Sequence, residues 1–252
     1  MLYYSFYVLF ALPHFVCMAR AMTIDLKSAV SCASKFAVGP SQKPPRFILG
    51  SSSRSRYLLL EATGADFEVM TPNINEEAIG SRAGDPQALV RLIATAKADA
   101  LLERLSLENG NDNRILLTGD QVVTYDGVIR EKPVDLKQCR QFIQSYSRNP
   151  CCTVGAICLH SLATGKRVLG VHEAFVHFKE IPDKVIDQLI EQDGPLLLQC
   201  AGGLMIEHDL IQPFVHEVHG GIDSIMGLCT NLLVDLLDEL HNLEKQEDVR
   251  MR

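Results

Sequence analysis

The chain has 252 residues, enough for one sizeable domain or two small ones, and 47% of them are hydrophobic, an ordinary share for a folded core. A net charge of −7 supplies no overall positive field to draw it to nucleic acid or an anionic membrane, so a polyanionic ligand must be met by a local group of cations. The eight cysteines include the adjacent pair Cys151-Cys152 but no C-x-x-C spacing, which argues against a zinc ribbon and a disulfide scaffold; reduced, mostly buried thiols are expected.

Residues 1–45 differ from the rest. The run 2-LYYSFYVLFAL-12 has signal-peptide length and 18-MARA-21 ends in small residues, yet the basic segment that opens such peptides is missing. The run is also too short to span a bilayer, so no stable membrane span is expected. Three readings stay open: a cleaved targeting segment, an upstream start with true initiation near Met18 or Met22, and an interfacial anchor. The stretch 40-PSQKPPR-46 reads as a linker, residues 46–243 as the folded domain and 244–252 as a charged, frayed tail. A cytoplasmic location is expected, with targeting or secretion left open by the extension.

From Phe47 onward short β-rich runs alternate with longer helical ones, the pattern of an α/β domain. FILG reads as a strand, and 53-SRSRYLLLEATG-64 as a helix with Ser53 as its N-cap and Gly64 as its stop. A second strand is expected over 67-FEVMTP-72. The helix 86-PQALVRLIATAKADALLERL-105 carries Leu89, Leu92, Ile93, Ala96 and Ala100 on one apolar stripe, with Lys97 beside it. A third strand, 115-ILLTG-119, precedes two strand-like runs joined by a turn at Tyr125-Asp126-Gly127. Helix 135–147, strands 151–160 and 167–178 around the turn 162-LATGK-166, helix 181–192, the segment 197-LLQCAGGLMIEHDLI-211 and helix 224–243 complete the series.

The stretch 48-ILGSSSRSRYLLL-60 places serines and arginines where a strand meets a helix N-terminus. Unpaired backbone amides and the helix dipole favour an anion there, and hydroxyls with an arginine fork complete a phosphate cradle. Serine-rich loops also simply cap helices, so the pattern alone leaves both readings open. No Walker A loop, dinucleotide glycine pattern or G-x-S-x-G elbow occurs. Asp120 follows Thr118-Gly119 at the end of the apolar strand, the usual address of a ligand site in an α/β sheet, and Lys132 lies on the return strand of the same hairpin. A carboxylate that activates water and holds a divalent cation, flanked by cations, suits hydrolysis of a phosphoanhydride. Glu76 can reach a metal, whereas Glu77 reads as solvated. Lys97 reads as snorkelling from an amphipathic helix, and Glu207, His208, His216 and His219 match no standard zinc motif.

Together, 48-ILGSSSRSRYLLL-60, Asn75-Glu76, 94-ATAKADAL-101, 119-GDQVV-123, Lys132-Pro133, 200-CAGGLMIE-207 and 222-IDSIMGL-228 resemble, in order and spacing, the Maf (septum-formation inhibitor-like) nucleotide pyrophosphatases from about Phe47 to about Leu240. The resemblance implies an α/β fold, an elongated mixed sheet bent around a cleft and flanked by helices, and it alone implies a homodimer. It implies hydrolysis of nucleoside triphosphates, often modified ones, to the monophosphate and pyrophosphate with a divalent cation of the Mg or Mn type. Position by position, Asp120 matches the proton-accepting aspartate, Ser51, Ser53 and Arg56 the phosphate-binding element, and Glu76, Lys97 and Lys132 the other polar cleft residues; Glu76 and Asp120 are the implied metal ligands.

The chain departs from the family where Arg54 stands for a common proline, where Ser55 and Tyr57 flank a single arginine, and where Asn75-Glu76 and Glu131-Lys132-Pro133 replace the usual acidic pair and GKP. Gln121 and Glu207 resemble the branch acting on 7-methyl-GTP, although Ser55 stands where that branch often has tryptophan. A carboxylate in the base pocket suits a purine made cationic by methylation, or the donors of guanine. The stretch GGLMIEHDLI is more similar to plant and protist relatives than to bacterial ones. The alternatives are a dTTP/UTP-type pyrophosphatase and, given the thinned arginine run, a non-catalytic nucleotide-binding regulator of division.

Overall fold

The computed structural model describes residues 45–105 and 112–250, with side chains to residue 246; the readings of the extension before residue 45 lie outside the described residues. Its strands are β1 (Arg46–Gly50), β2 (Asp66–Val69), β3 (Ile115–Tyr125), β4 (Val128–Arg130), β5 (Cys151–Ser161), β6 (Arg167–Phe178) and β7 (Val215–His219). Its α-helices are α1 (Arg54–Ala62), α2 (Pro86–Leu105), α3 (Leu136–Ser145), α4 (Asp183–Leu197), α5 (Ile222–Met226) and α6 (Thr230–Arg250). Among the described residues no helix is long and apolar enough to cross a membrane.

The strands form one mixed sheet in the order β2-β1-β3-β5-β6-β7, with β4 also on β3. β1 is parallel to β2 and β3, and the other pairs are antiparallel. Strand β3 pairs with β5 on one edge from Ile115 to Thr124. On its other edge it pairs with β1 only as far as Thr118 and with β4 only from Val123. Among the described residues, 119–122 therefore have no strand partner on that side, and the sheet forks there. β1 with β2 forms one arm; the short β4 begins the other.

Alternation along the strands separates two buried layers. Phe47, Leu49, Leu117, Ile157 and Leu159 face a core shared with α1, α3, α4 and α6. Ile48, Leu116, Val122, Val154 and Cys158 face α2 through Leu89, Val90, Ile93, Ala94, Ala98 and Leu101. Cys139, Cys151, Cys152 and Cys158 are free and buried; Cys200 and Cys229 are half-buried. Burial pushes the Cys151 thiol up to about 12, so it stays protonated at neutral pH.

Several sequence expectations shift. The buried stripe of α2 runs through Leu89, Val90, Ile93, Ala94, Lys97 and Ala98, while Leu92 is 50% exposed. The helix is turned so that its lysine, not Leu92, meets the sheet. The single helix expected over 224–243 is two, α5 and α6, broken after Gly227 with its left-handed φ of 111°. Asp223 holds this corner: its carboxylate accepts from the backbone N–H of Ser224 at 2.9 Å, and from the N–H and hydroxyl of Thr230 at 2.7 and 2.6 Å. The helix expected over 181–192 runs on to Leu197 through non-helical backbone at Asp193, just before Gly194-Pro195. Strand β7 carries too short and polar a run to stand out in the sequence, and α6 continues to Arg250 through most of the charged end.

Candidate active site

The cleft opens at the fork, and its placement follows from the two-residue period of β3. Thr118 and Asp120 point to the α2 side: the Thr118 hydroxyl donates to the Ala94 carbonyl at 2.8 Å, and one turn further along α2 Lys97 meets Asp120. Gln121 points to the opposite side, where its Nε2 donates to the Ile225 carbonyl of α5 at 2.8 Å. Gly119 shares that side. A Cβ there would come within 2.8 Å of the Ala156 carbonyl oxygen and 3.8 Å of Arg56 Nε, so the missing side chain admits the close backbone pairing beside Arg56.

Asp120 therefore does not end its strand, as the apolar run ILLTG implied, but sits within it, paired with Ala156 of β5. The strand runs on because β5 supports it throughout; the fork on the other edge leaves Asp120 access to the cleft. Lys97 does not snorkel. Its Nζ lies 2.8 Å from Asp120 Oδ1 and 2.8 Å from Glu76 Oε2, and it donates to the Gly119 carbonyl at 3.4 Å. The Lys97 and Asp120 side chains are 7% and 10% exposed, so the pair is held away from water, while Glu76 reaches in from the rim.

The serine–arginine stretch folds as a helix N-terminus. Ser53 caps α1 by accepting from the Arg56 N–H at 3.4 Å. The buried Ser51 hydroxyl accepts from the Ser53 N–H at 3.1 Å and from an Arg56 guanidinium N–H at 3.3 Å. Arg56 Nε donates to the Gly227 carbonyl at 2.9 Å, so one arginine ties the start of α1 to the end of α5. Burial lowers the pKa of its guanidinium, and the nearby Asp120 and Glu76 carboxylates oppose that shift. Ser55 is half-buried beside it.

The other arm supplies the far wall. Lys132 is exposed just beyond β4, which ends at Arg130, rather than on the return strand; Pro133 behind it is buried. Gly202 N–H donates to the Glu131 carbonyl at 3.0 Å, so the turn carrying Glu207 and His208 rests on this arm. Burial raises the pKa of the Glu207 carboxyl, opposed chiefly by a backbone hydrogen bond. Buried His208 accepts the Leu210 N–H at Nδ1 (3.1 Å), which leaves Nε2 as the donor to Asp193 Oδ2 at 2.9 Å. The histidines and glutamate read together in the sequence thus separate: Glu207 and His208 lie in the cleft, His216 and His219 on β7.

Ser51, Ser53, Ser55, Arg56, Glu76, Lys97, Asp120, Gln121, Lys132 and Glu207 all line one cleft of about 1180 Å³. Two residues were not singled out in the sequence: Arg82, which lines the cleft, and His172, which does not. Arg82 donates to the Glu76 carbonyl at 2.9 Å and to Glu131 Oε1 at 3.1 Å, joining the two arms. His172, buried beneath the α5 side with Nδ1 against the Ser224 hydroxyl, is pushed down to about 4 by burial and by the Arg56 charge, with Asp223 opposing. Arg82 offers no signal beyond one arginine in a turn, since its partner is 49 residues away. His172 reads as one more residue of an alternating strand.

A forked mixed sheet, a serine–arginine cradle and a lysine gripping two carboxylates define an α/β cleft protein equipped for a phosphorylated ligand. Residues 46–240 match the model of the family described as Maf-like protein, and the chain belongs to that family. It is 40% identical over 195 residues to a 7-methyl-GTP pyrophosphatase of Dictyostelium discoideum, covering 77% of this chain and 96% of the relative. It is 33% identical over 199 residues to a nucleoside triphosphate pyrophosphatase of Chlamydia pneumoniae, covering 77% and 93%. It is 31% identical over 195 residues to a dTTP/UTP pyrophosphatase of Thermotoga petrophila, covering 77% and 89%.

Proposed function

We propose that the protein is a nucleoside triphosphate pyrophosphatase, releasing the monophosphate and pyrophosphate, with a preference for a 7-methylguanine base. The observation that carries this reading is the convergence of Asp120 and Glu76 on Lys97 beside the Ser51–Arg56 cradle. Arg56, Lys132, the serine hydroxyls and the first-turn amides of α1 bind the triphosphate. Glu76 and Asp120 would hold a divalent cation: each gives one oxygen to the Lys97 ammonium, and carboxylate oxygens are the donors that Mg2+ or Mn2+ takes. Bound there, such an ion supplies charge neutralisation at the phosphoryl oxygens.

Lys97 holds Asp120 in position. Asp120 accepts a proton from the water whose oxygen bonds to the α-phosphorus; the bridge to the β-phosphoryl group breaks, and pyrophosphate leaves with the bonding electrons. Arg56 and Lys132 stabilise the charge on the departing group. At the base end, the Glu207 carboxylate attracts a cationic methylated purine, and the 40% identity to a 7-methyl-GTP pyrophosphatase supports that choice. The family resemblance supports a homodimer, and free buried thiols such as Cys139 and Cys158 suit a cytoplasmic location.

The test is a metal-supplemented nucleotide panel with mass detection of monophosphate and pyrophosphate. Wild type should turn over 7-methyl-GTP best, and Asp120→Asn should lose about 10³-fold in rate while staying folded. Undiminished activity in Asp120→Asn removes Asp120 from the role; a preference for dTTP or UTP removes the base assignment; binding without turnover makes the protein a regulator.

A further inference from the structure

Away from the cleft, at the opposite edge of the sheet, β6 and β7 bring together two imidazoles and a carboxylate. His177 and Glu217 face each other across the strand pair, and His219, two residues along β7, lies on the same face as Glu217. The ligand atoms of the three residues all lie within 4.8 Å of one another. His219 Nε2 is 3.2 Å from Glu217 Oε1, and the His177 and His219 rings meet edge to face with centroids 5.6 Å apart.

These separations suit ligands of one ion. Zinc bonds of about 2.0–2.2 Å to nitrogen and oxygen place tetrahedral neighbours about 3.3 Å apart, so only small side-chain rotations are needed. The backbone is already arranged. The register between β6 and β7 shifts at His177/Phe178, so His216 is an extra residue on β7 and Val215 takes the place opposite Phe178. Such a bulge re-aims side chains at a sheet edge. A His–Glu hydrogen bond alone accounts for two of the three groups but not for His177. His219 and Glu217 are more than half exposed, which leaves the outer coordination positions to water.

We propose that His177, Glu217 and His219 form a second metal site, for a zinc-type transition ion. Two imidazoles and one carboxylate select Zn2+, Ni2+ or Cu2+ over Mg2+, whereas Glu76 and Asp120 offer oxygen only. The site fastens edge strand β7 to β6. Strand β7 leads through Gly220 and Gly221 into α5, whose end supplies the Ile225 and Gly227 carbonyls that hold Gln121 and Arg56. An ion at the edge thus braces one wall of the cleft without entering it.

The experiment is calorimetric titration of the chelator-stripped full chain with Zn2+ in the presence of excess Mg2+, with thermal melting alongside. Loss of even an outer partner of a metal site weakens binding by about 10- to 100-fold, so His177→Gln and His219→Gln should each weaken one Zn2+ equivalent at least tenfold. Both should also abolish the rise in Tm that Zn2+ gives the wild type, while melting normally without metal. Asp120→Asn should retain the equivalent in full. Displacement by Mg2+, survival in both histidine variants, or loss only in Asp120→Asn overturns the proposal. Because binding is read without turnover, the result stands apart from that of the nucleotide assay.

Discussion

Lys97 Nζ lies 2.8 Å from Asp120 Oδ1, with both side chains about nine-tenths buried. Removing Lys97 strands the buried Asp120 carboxylate, whereas Asp120→Asn leaves Lys97 its Glu76 partner. Lys97→Met should therefore destabilise the fold by about 3–5 kcal/mol. Adding Asp120→Asn should recover much of that loss. Urea unfolding of the two single variants and the double variant measures the coupling, and simple additivity would show that the contact contributes little.

Glu207 gives the opposite sign. Its raised pKa means that the native state binds the proton more tightly than the unfolded chain, so its contribution to stability declines as pH rises from the ordinary glutamate range through the raised value. Glu207→Gln should then melt higher than wild type at pH 8, with the difference shrinking toward pH 4. The same variant should reorder the preferred bases more than it lowers the maximum rate. An unchanged ranking separates Glu207 from base choice.

His172 sets an acid limit. Its pKa falls from the ordinary 6.5 to about 4, so below pH 6.5 the unfolded chain takes up a proton that the native state refuses, and stability drops as pH falls toward 4. At about 1.4 kcal/mol per pH unit the loss approaches roughly 3 kcal/mol. Denaturant midpoints between pH 7 and 4 should fall less steeply in His172→Gln. Equal slopes would place the acid sensitivity elsewhere.

Arg82 bridges the arms through the Glu76 carbonyl and the Glu131 carboxylate. Arg82→Ala should lower kcat/KM by about tenfold through misplacement of Glu76 and Lys132. Arg82→Lys should rescue little, since a single ammonium cannot reproduce the planar fork. A full rescue by lysine would reduce the role of Arg82 to charge.

What the sequence disclosed was what depends on neighbours along the chain. The Ser53 cap, the α/β alternation and the long β5 and β6 strands are local in origin, and the site residues came from motifs at fixed spacing. The environment of Lys97 was hidden, because helical periodicity identifies an apolar stripe but not which flank a sheet will bury. The continuation of β3 through Asp120 was hidden too, since a polar residue mid-strand reads as an end unless the partner on β5 is known. Strand β7 exists by pairing with β6, and the role of Arg82 by a partner far along the chain.

The fork in the sheet has an evolutionary consequence. The serines, Arg56, Glu76 and Lys97 belong to the β1 side, whereas Glu207, His208 and Asp193 belong to the β4 side. On the proposed reading, replacements around Glu207 change which base is accepted, while the serines, Arg56, Glu76 and Lys97 of the first arm and Lys132 at the end of the second stay in place. A scaffold divided in this way can exchange its substrate without reinventing its chemistry.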